Sequence, residues 1–158
     1  MAEAVELRLA TEADLAWIGD LAREGSVARS LSTTAADGLG EALAAGELWV
    51  AETAGSGRVG VVRVPTVNRR SRIASVETLI VDPAARGRRL GVAILKAVAR
   101  DAFARGVHRL EGEVYGFNEP ALRTFDAAGF RREGVRRRAY DRHGTWQDGV
   151  RFGLLAED

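Results

Sequence analysis

Apolar residues recur along this chain at two spacings, near every second position in some stretches and near every 3.6 in others, which predicts a mixed α/β fold. Residues 5–9 alternate as a short strand. Thr11, Glu12, Ala13 and Asp14 then read as a helix start, with a side-chain oxygen to cap it and an acid in the first turn. Leu15, Ile18, Leu21 and Ala22 give that helix one apolar face. Small and polar residues over 25–33 predict a loop, and a second helix is expected over 34–45, ending before Gly46. Residues 48–52 and 58–64 read as strands joined in a hairpin across Ala54, Gly55, Ser56 and Gly57. After a polar connection over 68–71, residues 73–81 read as one further strand, apolar enough for a sheet interior. A strong helix follows, with Leu90, Ile94, Leu95, Val98 and Ala102 along one stripe. Further on, Asn118 stands where a helix is capped, and Ala121, Leu122 and Phe125 form that helix's buried face. Gly129 ends it, and two last strands meet about Gly144.

Composition narrows this picture. The 158 residues suit one domain over 1–158, with 46% hydrophobic and 28% charged side chains as in ordinary globular chains. No apolar run approaches the roughly 20 residues that cross a bilayer, and residues 1–10 lack the order of a signal peptide, so the cytoplasm is expected and a membrane partner is not. The absence of cysteine rules out disulfides, thiolate metal sites and a cysteine nucleophile. His108, in an expected strand, and His143, in an expected turn, have no second histidine at a metal-ligand spacing, so no metal is expected. A Gly-x-Ser-x-Gly elbow is also missing.

Charge is unevenly spread. Residues 1–84 carry 8 basic and 12 acidic side chains, and residues 85–158 carry 15 and 10, so the second half attracts anions. Nucleic acid is not the expected partner, because Glu133 and Gly134 interrupt the basic run over 131–138 and Tyr140 is its one neighbouring aromatic. The stretch over 81–91 is more informative. It passes from strand through a tight turn into a helix, whose first amides lack intrahelical acceptors and, with the helix dipole, suit a pyrophosphate. Gly87 and Gly91 permit close main-chain approach, and Arg86, Arg88 and Arg89 add charge beside the same anion. The plain alternative is a basic connection with no ligand. Neither the Walker phosphate loop nor Gly-x-Gly-x-x-Gly is present.

This segment resembles the acyl-CoA motif of the GNAT superfamily, Arg/Gln-x-x-Gly-x-Gly/Ala after a strand ending in Val-x-Pro. Val81, Pro83, Arg86 and Gly91 match it, while Arg89 replaces the usual glycine. Residues 114–130 resemble the superfamily's strand–Asn–helix–Gly-Phe element, and the tail from Gly129 to Leu155 is similar to its ribosomal-protein-type N-acetyltransferase branch. Over residues 1–75 only the order of elements agrees. The resemblance implies a central mixed, mostly antiparallel sheet of about six or seven strands flanked by about four helices. It implies acetyl-CoA as co-substrate, contacted by Leu79, Ile80, Val81, Arg86, Gly87, Arg88, Arg89, Leu90, Gly91, Asn118 and Phe125. It further implies direct attack by an amine, on a small molecule or a peptide, and a homodimer formed through the late strands.

For the chemistry, Glu77 is the first candidate base and Glu113 the reserve; Glu77 is equally read as an ion-pair partner of Arg63 or Arg72. Main-chain amides near residues 79–81 would polarise the thioester carbonyl. The family's acid tyrosine corresponds to Phe125, which has no proton to give, so either Tyr140 or Tyr115 replaces it or the thiolate leaves unaided and takes its proton from solvent. Asn118 is both a cap and a candidate ligand contact. The competing readings are a non-catalytic CoA-binding or sensing module and a basic interaction domain.

Overall fold

Among the residues described by the computed structural model, 3–28 and 38–158, nine strands and five α-helices form two sheets with helices against both. The first sheet holds β1 (Glu6–Leu9), β2 (Leu48–Thr53), β3 (Gly57–Arg63) and β6 (Leu79–Val81) in that order, each pair antiparallel. The second runs β4 (Thr66–Asn68), β5 (Ile73–Val76), β7 (Arg109–Tyr115), β9 (Thr145–Leu155), β8 (Arg131–Arg142). Only β5 and β7 run parallel. The helices are α1 (Leu15–Arg23), α2 (Gly25–Ala28), α3 (Leu39–Ala44), α4 (Leu90–Ala104) and α5 (Glu119–Ala127). The expected mixed, mostly antiparallel architecture is present, distributed over two sheets.

The core explains why β3 reads as a continuous apolar run. Val59, Val61 and Val62 are all fully buried, because helices cover both faces of the first sheet. The α4 stripe, including Leu90, Ile94, Leu95 and Val98, packs in one cluster with Val59, Val62, Val76 and Leu110. Ile18, Leu21 and Ala42 of α1 and α3 pack with Leu48, Val61 and Ile80 in another. Each such aliphatic side chain contributes about 1.5–3 kcal/mol by leaving water.

The start of α1 is fixed as its sequence suggests. Thr11 donates its amide N–H to Asp14 Oδ2 at 2.8 Å. Asp14, only 2% exposed, also pairs with Arg8 at 2.8 Å and Arg58 at 3.2 Å, which joins the first helix to β1 and β3. The Arg8 guanidinium, with help from the Thr11 amide and Arg58, outweighs burial and holds the Asp14 carboxyl well below the usual carboxylate range.

Four expectations change. Residues 73–81 are not one strand: β5 joins the second sheet and β6 the first. Glu77 donates its N–H to Arg63 O at 3.0 Å, while Thr78 O accepts from Arg63 N–H at 2.8 Å. Two residues thus face one, and this bulge turns the chain between sheets. Residues 66–68, of which only Asn68 belongs to the expected connection while the others carry no assignment, form the edge strand β4, whose turn is closed by Ser71 N–H on Asn68 Oδ1. Within the expected 25–33 loop, Gly25–Ala28 forms one helical turn; the rest, like most of the first turns expected for the 34–45 helix, lies outside the described residues. His108 precedes β7 and is not in it. No helix among the described residues is long and apolar enough to cross a membrane.

Candidate active site

The break between β5 and β6 opens the molecule. Pairing between β5 and β7 ends where Val76 faces Gly112, whereas β6 continues along β3. A cleft of about 650 Å³ lies between β6 and residues 113–115 of β7, with α5 along one wall. Asp82 N–H bonds Val59 O at 2.8 Å, and Ile80 is registered against Val61. Alternate residues of an antiparallel strand turn their main-chain groups the same way, so Leu79 and Val81 present theirs to the open cleft.

The loop into α4 completes this end. Gly87 adopts φ +85° and Arg89 φ +55°, and no side chain caps the first turn of α4, so its leading amides remain available to an anion. Gly91 faces the cleft. A Cβ there would stand 3.1 Å from Thr124 Cγ2, closing the space between α4 and α5. Arg89, at the position where glycine is usual, holds a left-handed backbone with its side chain exposed to solvent.

Of the residues expected to bind the donor, Leu79, Val81, Arg86, Gly91, Asn118 and Phe125 line this cleft. Ile80 and Leu90 are core residues on neighbouring positions, each 2% exposed. Gly87, Arg88 and Arg89 lie on the exposed side of the loop. Arg88 turns towards the β2–β3 hairpin, bonding Glu3 Oε2 at 3.0 Å and Ser56 Oγ at 3.1 Å. Asn118 caps α5 by accepting from Ala121 N–H at 3.3 Å. Phe125 is 5% exposed and stacks in the core against Phe130 and Phe152, each 5.0 Å between centroids. Gly112 allows this, since a Cβ there would come within 2.6 Å of the Phe125 ring. Thr124, Pro120 and Val114, which also line the cleft, carried no sequence signal beyond their places beside Asn118.

A second chamber of about 440 Å³ lies between α1, α3 and the first sheet. Val76, Glu77, Thr78, Glu113 and Tyr140 line both spaces, so the two meet at the strand break. Tyr140 reaches this point because β8 bulges. Three residues, 137–139, lie opposite Asp148 alone, and Arg138 N–H donates to Asp148 Oδ1 at 2.8 Å. The Tyr140 hydroxyl donates to Glu113 Oε1 at 2.5 Å and accepts from Arg136 Nη1 at 2.8 Å. Burial, and then the neighbouring Glu113 carboxylate, raise the Tyr140 phenol above its ordinary value of 10.0, which keeps it protonated. Glu113 Oε2 is buried without a hydrogen-bond partner among the described residues, walled in by Gly149. Glu77 is more open: its side chain is 45% exposed, with Arg63 at 3.8 Å, the ion pair weighed from the sequence.

Such an arrangement presents main-chain donors, a reachable carboxylate and a protonated phenol to one junction. The acetyltransferase (GNAT) family model matches residues 16–130, well over half of the chain and including the loop, the strand break and α5. The chain belongs to the GNAT acetyltransferase family. Several solved structures share its fold. A GNAT-family acetyltransferase from Bacillus anthracis is 15% identical with TM-score 0.84, covering 100% of this chain and 98% of that one. The spermidine N-acetyltransferase of Vibrio cholerae, solved with CoA and spermine, is 20% identical with TM-score 0.83, covering 97% and 96%. A protein provisionally assigned as a phosphinothricin N-acetyltransferase is 23% identical with TM-score 0.80, covering 98% and 100%. Like other GNAT proteins, this one is an acetyl-CoA-dependent acyltransferase. Among the described residues no cluster of three or more metal-ligating side chains occurs.

Proposed function

We propose that this GNAT protein moves an acetyl group onto a primary amine by direct attack, with the donor in the cleft beside β6 and the amine arriving through the second chamber. The observation that carries this reading is the meeting of the two spaces at Glu77, Glu113 and Tyr140. Acetyl-CoA supplies the thioester carbonyl. The leading amides of α4 and the Arg86 guanidinium hold the pyrophosphate. The outward main-chain N–H groups of Leu79 and Val81 orient the acyl arm and stabilise negative charge developing on its carbonyl oxygen. Phe125 and Asn118 bound the arm from α5.

Glu77 takes the proton from the incoming ammonium, since an amine attacks only when neutral. It suits this step better than Glu113, whose Oε1 already binds Tyr140 and whose Oε2 is walled off. Exposure lets Glu77 pass the proton on to water. Tyr140 then donates its proton to the departing sulfur, and Glu113 positions its hydroxyl. This fills the part left vacant by Phe125.

The tail over 129–155 supports placement near the ribosomal-protein-type branch, a likeness that concerns the late hairpin and leaves both small-molecule and peptide amines open. Exposed Val135 and Trp146 on that hairpin support a homodimer. A length of 158 residues suits a single domain, and a composition without cysteine suits work in the cytoplasm.

Thermal unfolding with acetyl-CoA, CoA, ATP or no ligand tests the donor site. Ligand at about 100 times its dissociation constant stabilises by about 2.7 kcal/mol, an upward shift of about 5–10 °C at this chain length. Acetyl-CoA and CoA are expected to give it, ATP is not, and Gly91→Glu should abolish it. Glu77→Gln should retain the shift while losing about 10²-fold in turnover. A shift with no turnover on any amine would instead indicate a CoA-sensing module.

A further inference from the structure

Resting on that reading, we infer that the acceptor is a small primary amine with one positive charge and an apolar body, and neither a polyamine, a free amino acid nor a peptide. The inference comes from how charge is distributed in the second chamber. Away from the strand break its walls are mainly apolar, with Ile18 and Ala22 from α1, Leu39 and Ala42 from α3, and Leu48 and Val61 from the sheet. The carboxylates lining it among the described residues are Glu77 and Glu113, and both stand at the inner end, where the donor cleft begins.

The surrounding ions then decide how much cation the chamber accepts. Arg63, the cation lining the chamber, is engaged by Glu47 through both Nε and Nη2 at 2.9 Å. Arg136 lies 3.3 Å from Glu113 and offsets it. Among the described residues, three carboxylates, Glu47, Glu77 and Glu113, thus stand against two guanidinium groups, which leaves one net negative charge nearest Glu77, whose link to Arg63 is the longest of these at 3.8 Å. One ammonium satisfies it.

A second ammonium several methylenes away would lie among Ile18, Leu39 and Leu48, where it loses hydration without gaining a carboxylate among the described residues. A free amino acid would have to compete with Glu47 for Arg63. A hydrocarbon or aromatic body instead gains by leaving water along these walls, and about 440 Å³ is within the size of small-molecule sites. The spermidine acetyltransferase of similar fold therefore does not supply the acceptor for this chain.

The test is release of CoA thiol by the full chain with saturating acetyl-CoA and five acceptors: hexylamine, 2-phenylethylamine, spermidine, leucine and a short peptide with a free N-terminus. The two apolar monoamines are expected to show kcat/KM at least tenfold above the other three. Leu39→Glu, which places a carboxylate on the α3 wall, should raise turnover of 1,6-diaminohexane relative to hexylamine, with thermal unfolding confirming the fold. Preference for spermidine, leucine or the peptide would overturn the acceptor class and leave acetyl transfer standing. No turnover of any amine, despite a melting shift with acetyl-CoA, would overturn the transfer reading as well.

Discussion

The two spaces that meet at Glu77 are made of different materials. The proposed donor cleft offers main chain along one side, at the open edge of β6 and the start of α4, where Gly91 keeps a side chain out of the way, and side chains of α5 and β7 along the other. The second chamber is bounded almost wholly by side chains from α1, α3, β2 and β3. Main-chain recognition constrains conformation and so requires particular residues at particular spacings. Side-chain recognition of an apolar body requires only apolar residues at core-like positions, and those look like any other core.

The junction belongs to both, and breaking it separates binding from chemistry. Tyr140→Phe removes the phenolic proton and the hydrogen bonds to Glu113 and Arg136 while preserving the ring. Turnover is expected to fall by about 10²- to 10³-fold, within the usual range for a general acid. The acetyl-CoA melting shift should remain. Because the phenol is raised, wild-type activity should decline only as pH rises through a value above the ordinary 10.0; the variant should lack that alkaline limb. Steady-state kinetics across alkaline pH checks both.

On the acceptor side, Asp14→Asn tests whether the scaffold of α1 can be weakened without touching donor binding. The change removes the charge that holds Arg58 and leaves Arg8 with Glu52 around a nearly buried position; both arginines are themselves about 40% exposed, so about 2 kcal/mol is expected. That corresponds to a melting temperature lower by about 4–8 °C, with the acetyl-CoA increment unchanged. The folded pKa is depressed, so this stabilisation is present above the ordinary aspartate value of about 3.9 and is lost as pH falls below it. The wild type should therefore lose stability on acidification faster than the variant.

The same division decides what the sequence reveals. The stretch from Val81 through Arg86 to Gly91 was legible as a strand-to-helix turn with glycines, the pattern that the proposed phosphate site, made of amides, would need. Asn118 was legible because capping is a local interaction. The bulge at Glu77 and Thr78 was not, since both residues suit a continuous strand. Only the ladder to Arg63, 14 and 15 residues earlier, diverts them. Tyr140 could be named as a substitute for the missing tyrosine, but its delivery to the junction depends on a three-residue bulge across from Asp148, and no local pattern announces that. Edge strand β4 escaped for a related reason: its three residues are exposed, Thr66 and Asn68 are polar, and pairing with β5 makes them a strand.

A smaller perturbation sharpens the junction without removing a functional group. In Gly149→Ala the new Cβ would collide with Glu113 Oε2 and lie 2.8 Å from Tyr140 Cε2. The backbone at Gly149 pairs with both Tyr115 and Arg136, so it has little room to retreat, and the Glu113–Tyr140 pair must shift instead. A displacement of this kind should lower turnover about tenfold, near 1.4 kcal/mol in the barrier, with KM for acetyl-CoA little changed. An unchanged rate would mean that the exact position of Glu113 does not matter.

The smallest effect concerns Arg89, where the donor loop departs from the family's glycine. A non-glycine residue at φ +55° carries about 1–2 kcal/mol of backbone strain, and glycine would relieve it at about 0.5–1 kcal/mol of unfolded-state entropy. Arg89→Gly should therefore stabilise the chain by about 0.5 kcal/mol, read as a small rise in denaturant midpoint. The side chain is exposed and is not among those lining the cleft, so its charge is expected to act on the pyrophosphate through solvent. Donor affinity should weaken by about threefold at low salt, and the difference should vanish as ionic strength rises. A larger loss that persists in salt would mean that Arg89 folds inward onto the donor, and that the loop recognises its anion through side chains as well as amides.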